Sequence, residues 1–329
     1  MDFDLDEQQR ELRDTARRFL EREAPIGYAR AMMDDVRGYS DEVWKAMSEQ
    51  GWLALALPEE HGGLGQGAIA LTILQIEMGR VVLPGPYFST VLAGMTIARF
   101  GTDEHRARLL PRIAAGDLIA SFGHAGRVDI DGDRLKGARR FVTDGHIAET
   151  VVTPAHLPGE EAWLVLAEPS ARTTVATIDA TRKTAECSFD GARFERLGAS
   201  TRSDVWWVLD LGGLLLAAEM LGCAERVTEL SVAYAKDREQ FGRPIGSFQA
   251  VKHRAADMLV DVESLRNAVS YAAWAVERAH PEATRAVAVA KAHASDAAVR
   301  VARSAIQIDR KSTRLNSSHL KLSRMPSSA

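Results

Sequence analysis

A chain of 329 residues, 46% of them hydrophobic, is long enough to bury a large interior, which excludes a disordered body or a disulfide-stapled miniprotein. A formal net charge of −4 offers no footprint for nucleic acid or an anionic membrane, and two cysteines, Cys187 and Cys223, supply neither a disulfide framework nor metal-ligand spacing. The start MDFDLDEQQRELR has no basic-then-apolar leader and no apolar run reaches membrane-spanning length, so a cytoplasmic protein without membrane insertion or a metal is expected.

Apolar residues recur at helical spacing from Asp6 to Glu23 (Leu12, Ala16, Phe19, Leu20), which predicts an amphipathic surface helix. A second helix is expected from Asp41 to Gln50, then the glycine-dense loop PEEHGGLGQG, then a third helix from about Ala68 to Gly79. Gly63, Gly65 and Gly67 before a helix suggest a phosphate cradle, but Ala70 takes the last fingerprint position and no βαβ unit surrounds it, so a plain surface loop is the better reading. Helical runs follow at Pro86 to Phe100 and Asp103 to Ala114.

The texture then changes. From Leu118 to Leu197 come short β-branched runs, IASFGH, RRFVTDG, TVVTPA, AWLVLAE and TTVATID, with turn signals at Asp131-Gly132 and Pro158-Gly159. Helical texture returns from Ser203 to Lys236, where LGGLLLAAEMLGCA is apolar nearly all round and predicts a deeply buried helix. A further helix is expected from Phe248 to Arg278, and after Pro281 an alanine-rich one from Ala283 to Gln307. The expected fold class is α+β and mainly α: an N-terminal helical domain over residues 1–116, a small central β domain over 117–198 and a C-terminal helical bundle over 199–308. Residues 309–329, basic and serine-rich without periodicity, read as a disordered, non-native tail, and the glycosylation match at Asn316-Ser317-Ser318 carries no meaning without a secretory signal.

Between the two long helices lies DREQFGRPIGSFQA, Asp237 to Ala250. Gly242 suits a helix C-terminus, Pro244 cannot continue a helix, and Ser247 can cap the next one. Arg238, Gln240, Phe241 and Gln249 bring a guanidinium fork, two amides and an aromatic face into this corner, groups that suit a phosphate and a flat ring.

The stretches GWLALALPEEHGGLG, EMGRVVLPGPY, RRFVTDG and REQFGRPIGSFQAVKHRAADM resemble the acyl-CoA dehydrogenases, and the resemblance covers residues 1–308. It implies FAD at a subunit interface and oxidation of an acyl-CoA thioester to the 2,3-enoyl-CoA, with electrons leaving to an electron-transfer flavoprotein or similar acceptor. It further implies a homo- or hetero-oligomer of dehydrogenase-like chains. In that family a glutamate removes the α-proton, which calls for a desolvated carboxylate and hydrogen bonds to the thioester oxygen. By the same resemblance Arg238 pairs with the FAD pyrophosphate of a neighbouring subunit, and Gln240 and Phe241 contact the same cofactor. Ile245, Phe248 and Gln249 lie along its adenosine half, Phe141 and Thr143 cover and bond the flavin ring, and Gln307 lies near the pyrophosphate. From composition alone, Phe241, Ile245 and Phe248 read as corner packing, and Phe141 and Thr143 as a buried strand pair.

Three departures qualify the resemblance. The flavin loop T-E-P-G-x-G-S-D of the family is missing, since IASFGH passes directly into AGRVDIDGDRLKG. The helix position of the base is Gly212, followed by Gly213; Glu219 lies two turns on along roughly the same face, either as a displaced base or as an ordinary bonded or interface carboxylate. After Gln307-Ile308 the family's histidine and glycines give way to Asp309-Arg310-Lys311, so the second base location is absent and truncation is expected. The catalytic base is therefore unassigned. The departures point to subunits that pair with a different dehydrogenase-like chain, as in steroid degradation; the alternative is a non-catalytic flavin-holding or interaction subunit.

Overall fold

The computed structural model describes residues 5–157 and 162–322, with side chains through 309; the Pro158-Gly159 turn and residues 323–329 lie outside it. The N-terminal helices are α1 (Glu7–Glu23), α2 (Ile26–Asp34), α3 (Asp41–Glu49), α4 (Ala68–Val81), α5 (Tyr87–Phe100) and α6 (Asp103–Ala114). α1 starts on a capping box: the Asp6 carboxylate accepts from the Gln9 amide at 2.8 Å, and the Gln9 side chain accepts from the Asp6 amide at 3.1 Å. α2 escapes sequence reading because it follows Pro25 with no side-chain cap and buries only Ala29. The glycine-dense loop carries no anion cradle of its own. Glu277, from the far end of the chain, accepts from the Ile69 amide at 2.9 Å, and a Cβ at Gly67 would fall 2.1 Å from its Oε2. The N-terminus of α4 is thus taken by a side-chain carboxylate.

The sheet comprises β1 (Ala120–Phe122), β2 (Gly126–Asp131), β3 (Arg134–Thr143), β4 (Thr150–His156), β5 (Ala162–Ala167), β6 (Ala171–Val175), β7 (Thr184–Ser188) and β8 (Phe194–Arg196). Its order is β6-β7-β3-β2-β4-β5-β8, with β1 parallel to β4. β2 and β3 form a hairpin across Gly132 and Asp133, with Gly132 at φ +62, in agreement with the Asp131-Gly132 turn signal.

α7 (Arg202–Asp237), α8 (Gln249–Glu277) and α9 (Ala283–Leu322) form the C-terminal bundle, with a core of Leu214, Ala218, Leu221, Met258, Leu265, Ala290 and Val301. Two expectations change here. α7 as a whole is long and apolar enough to cross a membrane, although no unbroken apolar run is; the fold uses it as the central helix, packed on α4, α8 and α9. Residues 309–322, expected to be disordered, continue α9, because extending a formed helix requires no new nucleus. Mainly helical with one sheet layer, the chain has the expected α+β class.

Candidate functional site

The corner between α7 and α8 is a miniature hairpin. β9 (Glu239–Gln240) pairs antiparallel with β10 (Arg243–Pro244), and Phe241 and Gly242 turn it with φ +55 and +74. Positive φ at both central residues matches the twist of paired strands, so Gly242 serves this turn and not the end of α7, which closes at Arg238. Ser247 does not cap α8: its hydroxyl donates to the Pro244 carbonyl at 2.7 Å, and Phe248 occupies the N-cap position without a side-chain bond. Ile245, buried in the bundle, donates its amide to the Arg238 carbonyl at 2.8 Å and pins the hairpin to α7.

The polar groups of the hairpin face outward. Arg238, Gln249 and Arg243 are exposed, and among the described residues neither arginine forms an ion pair. Arg243, which the sequence reading passed over, lies opposite Gln240 and places its guanidinium 4.3 Å from the Phe248 ring centre. Phe241 is 59% exposed and meets Phe248 edge-on at 6.2 Å. The Gln240 amide donates to the Glu239 carbonyl at 2.7 Å. Gln307 is exposed on α9, on a separate element from the hairpin.

Phe141 and Thr143 stand on β3, in the sheet layer. The pairing of β3 with β7 shifts register between Arg139 and Val142, and Phe141 at that bulge has φ +53 and is 60% exposed. A phenylalanine held left-handed and turned to solvent is a costly arrangement of the kind found at ligand sites. Thr143 is half-buried, and its carbonyl accepts from the Ser121 hydroxyl at 2.6 Å. The turn after β3 encloses Asp144, bonded by the Ser89 hydroxyl of α5 at 2.7 Å. Burial pushes this carboxyl above its ordinary range despite the Ser89 bond and the charge of Arg182. A raised folded-state pKa contributes stability that is present below the unfolded value of 3.8 and lost as pH rises through the folded one. Asp144→Asn, which keeps an acceptor for Ser89, is therefore expected to match or exceed wild-type melting temperature at pH 7 and to flatten the fall in stability as pH rises above about 4. A loss of more than about 1 kcal/mol at pH 7 would mean that attraction to Arg182 outweighs burial.

The helix position that the resemblance gives for the base carries no side chain. Gly212 is buried, and a Cβ there would sit 3.2 Å from Leu92 and 3.9 Å from Phe88. Glu219 is already engaged: Arg182 Nη2 donates to its two oxygens at 2.5 and 2.6 Å, and the Gln75 amide donates at 3.1 Å. Arg182 also stands 5.2 Å over the Phe88 ring, so the β6–β7 connection straps the sheet to α5 and α7 at this point. This geometry supports the ordinary bonded-carboxylate reading of Glu219. A cavity of about 380 Å³, walled by Leu216, Met220, Cys223 and Val299, opens beside the pair. Burial pushes the thiols of Cys187 and Cys223 up to about 11, which keeps both protonated and unreactive at neutral pH.

Two helical units flanking a sheet layer, with an exposed arginine-bearing hairpin on the second, define the class: a mainly helical α+β scaffold. Comparison with known proteins makes this specific. The family model "Acyl-CoA dehydrogenase, N-terminal domain" matches residues 6–117, and "Acyl-CoA dehydrogenase, C-terminal domain" matches 204–309. The acyl-CoA dehydrogenase IpdE2 of Mycobacterium tuberculosis is 34% identical over 92% of this chain and 85% of that protein. Among solved structures, the ChsE4-ChsE5 complex from Mycobacterium tuberculosis superposes with a TM-score of 0.86 at 28% identity, covering 94% of this chain and 88% of that one. The Tcur3481-Tcur3483 steroid ACAD G363A variant gives 0.84 at 29% identity, covering 92% and 87%. The chain belongs to the acyl-CoA dehydrogenase family, and membership implies FAD-dependent oxidation at a CH–CH bond of an acyl-CoA.

Proposed function

We propose that this chain is the flavin-holding subunit of an FAD-dependent acyl-CoA dehydrogenase that works with a second dehydrogenase-like chain, the partner supplying the catalytic base. The observation that carries the reading is a contrast along one helix: α7 leads into a hairpin with two exposed arginines that form no ion pair among the described residues, while its base position, Gly212, carries no side chain and Glu219 is ion-paired. The donor set fits FAD. Arg238 and Arg243 offer charged donors to the pyrophosphate of a neighbouring subunit's FAD, with Gln240 and Phe241 beside them and Phe248 and Gln249 toward its adenosine half, while Phe141 with Thr143 offers a face and hydrogen-bonding atoms to a flavin ring. When bound, FAD supplies the two-electron acceptor for the substrate β-hydride. This chain's part is to bind and orient: the hairpin fixes the phosphates, and the exposed Phe141 excludes water from one ring face. The ChsE4-ChsE5 and Tcur3481-Tcur3483 likenesses support a two-chain assembly, and the second supports a steroid-derived acyl-CoA as the first substrate class to try; an electron-transfer flavoprotein is the acceptor that the family resemblance suggests.

The test is to purify the chain alone and with a dehydrogenase-like partner encoded beside it, and to record the flavin spectrum before and after an acyl-CoA is added. The co-purified protein is expected to be yellow and to bleach; colourless protein in both preparations would sink the reading and favour an interaction subunit without flavin. Arg238→Ala is expected to weaken flavin retention by about tenfold or more, the value of a lost charge-assisted hydrogen bond. Glu219→Gln is expected to leave bleaching rates within about twofold, whereas abolished bleaching would restore Glu219 as the base.

A further inference from the structure

The β1–β2 connection is only residues 123–125; Gly123 donates its amide to the Val152 carbonyl at 3.0 Å, the Ala125 carbonyl accepts from the Arg140 amide at 2.9 Å, and one buried side chain adds to these bonds. Arg139 of β3 is 1% exposed. Its Nε donates to the Thr153 hydroxyl at 2.7 Å and its Nη1 to the His124 carbonyl at 2.8 Å, while the Gly126 and Pro154 carbonyls accept from Nη1 and Nη2. Four of the five N–H donors of the guanidinium are thereby matched to neutral acceptors from three directions. Gly123 passes directly over the stem, where a Cβ would lie 3.3 Å from Arg139 Cβ and Cγ and 3.0 Å from Val142. The charge is not cancelled: among the described residues no carboxylate pairs with Arg139, and Asp129, the acid whose field reaches it, is half-buried and bonded at 2.8 and 3.0 Å by Arg127. Burial lowers the guanidinium to about 10, which still leaves it a cation at neutral pH. Arg139 and Val142 both face inward across the bulge, while Arg140 and Phe141 both face outward, so the guanidinium lies on the underside of the strand that presents Phe141.

We propose that Arg139 is a positioning residue for the flavin face: it clamps the short β1–β2 connection onto β3 and β4, and its uncompensated charge favours the reduced, more electron-rich state of a ring bound against Phe141 and Thr143. The second half rests on the FAD reading above; the first does not. A buried cation raises the stability of negative charge formed near it because the surrounding low dielectric screens it weakly. No covalent step is involved: two electrons and a proton enter the ring from the reductant used in the assay.

The experiment has one readout for each half. In the protein without flavin, amide hydrogen exchange at residues 123–126 is expected to speed up at least tenfold in Arg139→Met while the α8 amides stay unchanged; unchanged exchange at 123–126, or equal loss of protection everywhere, overturns the clamp. In the flavin-loaded complex, reduction against a reference dye is expected to show a tenfold or greater drop in the reduction equilibrium constant for Arg139→Met, about 30 mV for a two-electron couple. Arg139→Lys, with the charge but fewer donors, should stay within about threefold of wild type. An unchanged potential in Arg139→Met overturns the electrostatic half. If that variant loses flavin, Arg139→Lys decides: a potential shifted as far as tenfold with the charge retained overturns it, and one within threefold supports it. Wild-type complex that binds no flavin refutes the FAD reading and leaves the exchange result standing.

Discussion

Replacing Arg80 with methionine is expected to lower unfolding free energy by about 3–5 kcal/mol at pH 7, read as a shift in denaturant midpoint with an unchanged slope. Arg80 is 9% exposed and forks onto Glu229 at 2.9 and 2.7 Å, touches Glu225 at 3.3 Å and faces Glu77 at 3.6 Å. Glu77 keeps Arg17 at 2.9 and 2.8 Å, Glu225 keeps Arg266 at 3.1 Å and Glu229 keeps Arg226 at 3.4 Å, but Glu77 and Glu225 are buried, and without Arg80 each of these two would lose its second cation. Glu229 is half-exposed, so its share of the loss is small, and most of the cost is the two buried carboxylates left short of charge. The pH dependence has a definite sign. Burial already holds Glu225 above its ordinary value, and removing a cation raises it further, so the penalty of Arg80→Met should shrink as pH falls and the carboxyls protonate. Arg80→Lys, which keeps the charge and loses the fork, should fall between. A methionine variant within about 1 kcal/mol of wild type would show that the network contributes almost nothing, as some replaced buried networks do.

That network joins α1, α4, α7 and α8 and was invisible in the sequence, because its bonded partners lie up to 149 residues apart and each reads locally as an ordinary helix-surface charge. The long helices were legible because their apolar periodicity or unbroken apolar character is local information. α2 was not: a nine-residue helix with one buried alanine has no stripe to read. At the corner the turn-forming residues were recognised but their jobs were misassigned. Gly242 and Pro244 signal a break in any reading, yet whether the break is a helix cap or a hairpin depends on the pairing of Arg243 with Gln240, which only three dimensions supply. Arg243 was overlooked for the same reason, since its exposure and its place over Phe248 follow from that pairing. Glu219 left two readings open until its partners appeared: Gln75 and Arg182 come from a different helix and from the sheet layer.

The same α4–α7 contact yields the prediction with the narrowest geometric margin. Gly79 and Gly222 let the two backbones touch: a Cβ at Gly222 would sit 1.9 Å from the Ile76 carbonyl oxygen, and one at Gly79 would sit 2.1 Å from the Glu219 carbonyl oxygen. Both obstacles are backbone, so no rotamer change relieves them and the helices must separate. Gly222→Ala is expected to cost about 3 kcal/mol or more, overcoming the roughly 1 kcal/mol that alanine gains over glycine inside a helix. Gly213→Ala, nine residues earlier on α7, is the internal control. Its Cβ would meet only the Val287 methyl at 3.1 Å, which can give way, so it should be neutral within about 1 kcal/mol by the same propensity. Because one separation of the helices relieves both clashes, Gly79→Ala with Gly222→Ala should cost less than the two single losses added. Separation would also move Glu219 from Gln75 and Arg80 from Glu229, and α7 leads directly into the hairpin that carries Arg238. Gly222→Ala should therefore lose flavin retention and stability together, measured on the same preparation, while Gly213→Ala keeps both. A stable Gly222→Ala protein with normal flavin content would mean that the two helices do not meet this closely in solution.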